Sequence, residues 1–425
     1  MSAKRNSQLQ IVMIFICFIT LLSGCNSTTQ DETSQSKDNN LVTEDQIVAP
    51  IVPTEPTEPT DTVQDLLNSM STEEKIGQLV VVGMDGTMNN EDNQAFIEDY
   101  HVGGFIFYKD NIETIQQALS LFNELKLVNE VNKIPLWMSI DEEGGRVTRM
   151  PDEFLELPTN QVIGKKNDPV LSNKIGQILG RELLGFGLNM NFAPVLDIHS
   201  NPNNPVIGNR SFGDGAELVS ALGIATMQGL QSQGVVPVVK HFPGHGDTSV
   251  DSHIGLPVIE HDLERLRKLE LIPFQNAINE GADVVMIAHL LLPKVDADYP
   301  ASFSKIVISD ILRDELGFNG VIITDDMTMG AIAENYDLGQ TSVQSVLAGT
   351  NIVLVGHDVQ KVIAVIQALT DAVENGKISE DVLNNRVYAI LKLKEKVGIN
   401  NDPAVGPDVE KLNKDIRNIL DQMKE

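Results

Sequence analysis

Eight short apolar runs, separated by stretches with helical spacing, constrain this chain more than any other feature. They are Gln78 to Val82, Gly103 to Phe107, Leu136 to Ile140, Met190 to Val195, Val235 to Lys240, Val284 to Ala288, Val321 to Thr324 and Ile352 to Val355. Strands that alternate with amphipathic helices need a parallel sheet covered by helices, and eight such units predict an α/β fold, a (β/α)8 TIM-like barrel. An open, doubly wound sheet is the alternative; its fingerprint is missing, since no GxGxxG opens a helix after the first strand. In a barrel, the residues that follow the strands share one mouth, where loops vary while the strands below stay packed.

The fifth run leads into the most polar of these ends. Lys240 to His253, KHFPGHGDTSVDSH, gathers a lysine, the histidines His241, His245 and His253, and the aspartates Asp247 and Asp251. Pro243, Gly244 and Gly246 forbid a helix there, so the polar groups emerge on a loop. The loop has three readings. It is a Gly/Pro turn whose histidines satisfy backbone groups, a metal site, or a catalytic loop. The metal reading has suitable ligand types in His241, His245, Asp247, Asp251 and His253, but their spacing matches neither a helical HExxH arrangement nor a finger pattern.

KHFPGHGDTSVDSH resembles the signature of family 3 glycoside hydrolases, in the branch of bacterial β-N-acetylglucosaminidases (β-hexosaminidases) of the NagZ type. The resemblance implies an Asp-x-His dyad at Asp251, Ser252 and His253, with His253 the general acid/base and Asp251 orienting and charging it. It also implies that Lys240 and His241 contact sugar, and that no cofactor and no metal are needed. Two further strand ends carry it: SIDEEGGRVTRM, with Asp141, Arg146 and Arg149, and NFAPVLDIHSNPNNPVIGNRSFG, with Asp197 and Arg210. Read alone these are solvated charge pairs; by resemblance Asp141, Arg149 and Arg210 are sugar contacts. Carboxylates offer several acceptors and guanidinium a fixed fork of donors, which suits hydroxyl and amide recognition. Arg146 and His289 are candidates for lining the pocket only.

GVIITDDMTMGAI places Asp325 and Asp326 after the seventh run, where a helix is about to start. Aspartate caps helices well, and Asp326 is open to that reading. In the resembling family the first aspartate of the (S/T)DD stretch is the nucleophile, which implies that role for Asp325. A retaining glycosidase needs one carboxylate to attack the anomeric carbon and a second group that first protonates the leaving oxygen and then deprotonates water. Histidine, with an unperturbed pKa of about 6.5, can exchange a proton near neutral pH.

The rest of the chain frames this domain. Residues 1–24 have a basic start (Lys4, Arg5) and an apolar run too short for a comfortable membrane span, as in a secretory signal. The signal ends in Leu22-Ser23-Gly24-Cys25, which resembles a bacterial lipobox and implies cleavage before Cys25 and a lipid on its thiol. The expected localisation is the outer face of the cell membrane. Cys17 and Cys25 are the only cysteines, so disulfides and thiol catalysis are excluded from the exported part. Residues 25–61 are polar, acidic and Pro/Thr/Glu-rich and read as a tether, spanning roughly 30 to 36 Å on average. Residues 62–400 are the barrel, without a second α/β domain, and 401–425 form a tail with a helix beginning near Pro407. A net charge of -29 argues against nucleic acid as partner.

The expected partners are therefore GlcNAc-containing glycans or muropeptides and, through Cys25, the membrane. The expected activity is removal of non-reducing terminal β-GlcNAc, with peptidoglycan fragments as substrate. Alternatives are a β-glucosidase or a GlcNAc phosphorylase of the same family and, from another class, a sugar-binding lipoprotein.

Overall fold

The computed structural model describes residues 61–249 and 255–424. Eight parallel strands, β1 (Val80–Val82), β2 (Gly104–Phe107), β3 (Trp137–Ile140), β4 (Met190–Asn191), β5 (Val236–Phe242), β6 (Val284–Ile287), β7 (Val321–Thr324) and β8 (Val353–Val355), pair in the order β7-β6-β5-β4-β3-β2-β1-β8. Every strand residue is buried, as a sheet with helices outside and side chains inside requires. The β7–β8 seam closes the ring through a single parallel bridge, Ile323 to Ile352. There Ile352 N donates to Ile322 O at 3.0 Å, and Thr324 N donates to Ile352 O at 3.0 Å. Side chains supply two further ties, since Ile322 N donates to Asn351 Oδ1 at 2.9 Å and Leu354 N donates to Thr324 Oγ1 at 3.0 Å. The fold is the expected TIM-like barrel.

Local signals set the helix ends. Ser71 and Glu74 form a reciprocal capping box that opens Thr72–Gln78. Asp168 caps Pro169–Phe186, whose proline at the first position lacks an N–H the helix could not have used. That helix ends on Gly187 in the left-handed conformation, where a side chain would be strained.

Three expected strands differ by two residues or more at one end, and four others by a single residue. Gln78 closes the preceding helix instead of opening β1, because the capping box commits Thr72–Gln78 to helical hydrogen bonding. β4 stops at Asn191: Ala193 N turns back to Asn191 O at 2.8 Å, and Pro194 has no N–H to give a ladder. Pairing resumes only as the bridge Val195 to Lys240. β5 runs two residues beyond Lys240, and its register with β6 shifts between Val239 and Phe242. In a regular strand, adjacent side chains point to opposite faces. With the irregularity, adjacent Lys240 and His241 both reach partners at the mouth.

The helix expected near Pro407 runs Val409–Gln422, capped by Asp408. It buries Leu412, Ile416 and Ile419, one stripe at helical spacing, and packs on Pro169–Phe186. No helix among the described residues is long and apolar enough to cross a membrane.

Candidate active site

The strands deliver their following residues to one end of the barrel, and there the charged groups form a chain of alternating sign. Lys240, 2 % exposed, binds Asp141 Oδ1 and sits 2.8 Å from Glu143 Oε1. Glu143 also takes the Arg210 fork, Nε on Oε2 at 2.9 Å and Nη2 on Oε1 at 2.6 Å. Arg210 Nη2 lies 3.4 Å from His241 Nε2, and His241 Nδ1 lies 2.6 Å from Asp197 Oδ2. Burial pushes the Glu143 carboxyl up, but Arg210 and Lys240 more than reverse this and hold it well below the usual carboxylate range. Burial likewise opposes the Lys240 ammonium, and Asp141 and Glu143 overcome it, so its pKa is raised. Removing one member would leave a buried charge uncompensated.

Asp325 follows β7 directly. Its N–H donates to Ile287 O at 2.9 Å, and its Oδ1 accepts from Asp326 N at 2.8 Å. Desolvation works against its charge, but His289, His241, the Asp326 N–H and Lys240 outweigh it and lower its pKa, leaving an ionised carboxylate at neutral pH. Asp326 has a different task. Its Oδ1 accepts from Thr328 N (2.9 Å), Thr328 Oγ1 (2.7 Å) and Gly356 N (2.8 Å), and its Oδ2 from Tyr108 Oη (3.3 Å). It braces the ends of β7, β8 and β2 and caps no helix; Met329 stands at the cap of the short helix Gly330–Ala333.

A cavity of about 320 Å³ opens beside Asp325, walled by Asp141, Arg149, Tyr108 and His357 among others. Tyr108 and His357 stack with ring centroids 4.5 Å apart. A second cavity, of about 450 Å³, lies across Arg149 and is lined by the buried carboxyls Glu142 and Glu182 and the segment Met150 to Leu157. Burial pushes Glu142 up to about 7, although Arg149 N and Thr148 Oγ1 donate to its Oε2.

Among the residues named from the sequence, Asp141, Arg149 and Asp325 share one cavity. Lys240, Arg210 and His241 join it through Asp141. Exposed Arg146 instead gives its guanidinium to Val206 O, tying down the loop after β4. His289 is buried beneath the site, between Ser302 Oγ (2.8 Å) and Asp326 O (2.9 Å). Asp251 and His253 lie outside the described residues, as does Cys25. Of the loop's other possible metal ligands, His241 Nδ1 lies against Asp197, His245 Nδ1 lies 2.9 Å from Thr248 Oγ1, and Asp247 lies 2.5 Å from His261 Nε2. No group of three or more ligand-type side chains among the described residues is arranged for a metal ion.

Sequence reasoning missed Glu143, Tyr108 and His357. Glu143 was within reach, since two cations expected at one barrel mouth, Lys240 and Arg210, need a shared counter-charge and it stands in the DEEGG stretch. Tyr108 and His357 carry no pattern beyond following an apolar run.

The closed parallel barrel carries, at the end its strands point to, an ionised aspartate beside a polar cavity walled by carboxylate and guanidinium, the layout of a TIM-type barrel with its site at the strand ends. Residues 71–393 match the glycosyl hydrolase family 3 N terminal domain, and the chain belongs to that family. β-Hexosaminidase A of Pseudoalteromonas piscicida is 34 % identical over 325 residues, 71 % of this chain and 54 % of that protein, so this chain matches only about half of that relative's length. A β-hexosaminidase of Neisseria meningitidis serogroup C is 38 % identical over 275 residues, 63 % of this chain and 74 % of the relative. The structure of a glycoside hydrolase family 3 β-N-acetylglucosaminidase from Paenibacillus sp. str. FPU-7 superposes with a TM-score of 0.78 at 41 % identity, covering 83 % of this chain and 68 % of that one.

Proposed function

We propose that this protein is a retaining exo-β-N-acetylglucosaminidase that releases non-reducing terminal GlcNAc, with GlcNAc-MurNAc fragments of peptidoglycan as its substrate. The observation that carries the reading is Asp325, ionised at a strand end and facing a cavity whose other walls include Asp141 and Arg149. The names of the relatives support the sugar. In the first step an Asp325 oxygen attacks the anomeric carbon while His253 gives its proton to the departing oxygen, leaving a glycosyl ester and a neutral imidazole. In the second, that imidazole takes a proton from water, the hydroxide forms the new bond to the anomeric carbon, and Asp325 leaves as carboxylate. Asp251 holds the ring and favours its cationic form in the first step. Asp141 accepts from sugar hydroxyls, while Arg149 donates to their oxygens. The leader, lipobox and acidic tether support export and attachment to the outer face of the membrane through Cys25.

Hydrolysis of nitrophenyl-β-GlcNAc and of nitrophenyl-β-glucose, each with and without phosphate, followed by a GlcNAc-MurNAc disaccharide assay, tests this reading. Preferred cleavage of glucose, release of GlcNAc 1-phosphate, or stoichiometric binding without turnover would each replace it.

A further inference from the structure

We infer that Asn413, on the C-terminal helix Val409–Gln422, is a positioning residue for Arg149, acting through the segment that follows that arginine. Only Arg149's contact with substrate rests on the function proposed above. Arg149 is the partition between two cavities, of about 320 and about 450 Å³. Its Nε is buried and makes no hydrogen bond among the described residues, so no hydrogen bond from the protein fixes that edge of the guanidinium. The side chain takes its place from its backbone instead: Arg149 N on Glu142 Oε2 at 2.7 Å, and the next carbonyl, Met150 O, on Lys109 Nζ at 2.7 Å.

Beyond Met150, the chain from Pro151 to Glu156 walls the larger cavity. Among the described residues, this stretch makes two hydrogen bonds outside itself, and both go to one amide. Leu155 N donates to Asn413 Oδ1 at 2.8 Å, and Asn413 Nδ2 donates to Glu153 O at 2.8 Å. One acceptor and one donor on a planar amide reproduce the pairing of a neighbouring strand. The helix that offers Asn413 is itself docked firmly. Leu412 and Ile416 flank Asn413 on the buried side, and at the helix entrance Pro407 packs so closely that a Cβ on Gly185 would lie 2.6 Å from its ring. A segment beside a void, held at two points by one amide, transmits the docking of the tail to the sugar-binding wall.

The experiment uses the full chain. Asn413→Ala should speed amide exchange at Leu155 about tenfold. It should also raise KM for nitrophenyl-β-GlcNAc about fivefold with kcat nearly unchanged, the split expected when ground-state binding is loosened. Asn413→Asp keeps the acceptor for Leu155 N, loses the donor to Glu153 O, and should fall between; it also serves if the alanine variant folds poorly. Arg181→Gln breaks the half-exposed pair between Arg181 on Pro169–Phe186 and Asp415 on the C-terminal helix and should leave both readouts unmoved. Unchanged exchange at Leu155, faster exchange with unchanged KM, or an equal KM rise in Arg181→Gln would each overturn the inference. If the wild-type protein turns over no GlcNAc glycoside, the functional reading falls, while the exchange comparison and GlcNAc affinity by calorimetry still decide the inference.

Discussion

Two adjacent aspartates at the end of β7 have opposite employment, and their neighbours show why. Asp326 spends its oxygens on Thr328, Gly356 and Tyr108, whereas Asp325 receives one backbone N–H and is otherwise turned to the cavity. Asp325→Asn should therefore abolish turnover of every glycoside, however good its leaving group. His253→Ala should give a burst of nitrophenol from an activated glycoside and then a slow steady state, with the natural disaccharide nearly inert. Stopped-flow release of nitrophenol checks both, and equal loss of activated and natural substrates in His253→Ala counts against the roles. Glu142 makes a separate pH prediction. Its folded pKa, about 7, lies above the ordinary carboxyl value, so the folded state holds a proton that the unfolded state has lost, and stability falls as pH rises from about 4.5 to 7. Glu142→Gln should flatten that slope and gain on the order of 3 kcal/mol above pH 7 relative to wild type. Urea unfolding at pH 5 and pH 8 measures it; parallel curves for the two proteins would show that Glu142 does not titrate there.

Strands and the polar residues behind them were legible because their signals are local: β-branched runs, glycines, and charged groups at a common phase. The paths of the β4 and β5 ends were not, because they are settled between segments distant in sequence. Asp197, after β4, accepts His245 N at 2.6 Å, and Gly246 passes so near Ile198 that a Cβ would stand 1.7 Å from its carbonyl oxygen. Nothing within either stretch announces that meeting. Asp326 shows the same limit, since its position before a helix suggests a cap while its own turn and the ends of two other strands claim its oxygens. Gly246→Ala should push these loops apart, costing about 1–3 kcal/mol. It should also lower kcat, because Asp197 and His241 move together. Thermal melting with kinetics on the same preparation checks both effects; a wild-type Tm would mean that the approach relaxes without cost.

At the scale of the whole barrel, closure depends on a thin seam. Seven strand pairs have ladders, β5–β6 with a register shift, while β7 and β8 share one bridge and the Thr324 hydroxyl stands in for a missing carbonyl. Thr324→Val, nearly equal in shape, strands the buried Leu354 N–H and should cost about 1–3 kcal/mol, read as a lower urea midpoint with an unchanged slope. A midpoint at the wild-type value would show that the seam closes without the hydroxyl. The strand order also has a consequence in time. β1 finds its second neighbour only in β8, some 270 residues later, which is roughly 15 to 55 s of synthesis at ordinary elongation rates. For that interval the first strand keeps a bare apolar edge, and whatever escorts the growing chain has to shield it until the last strand arrives.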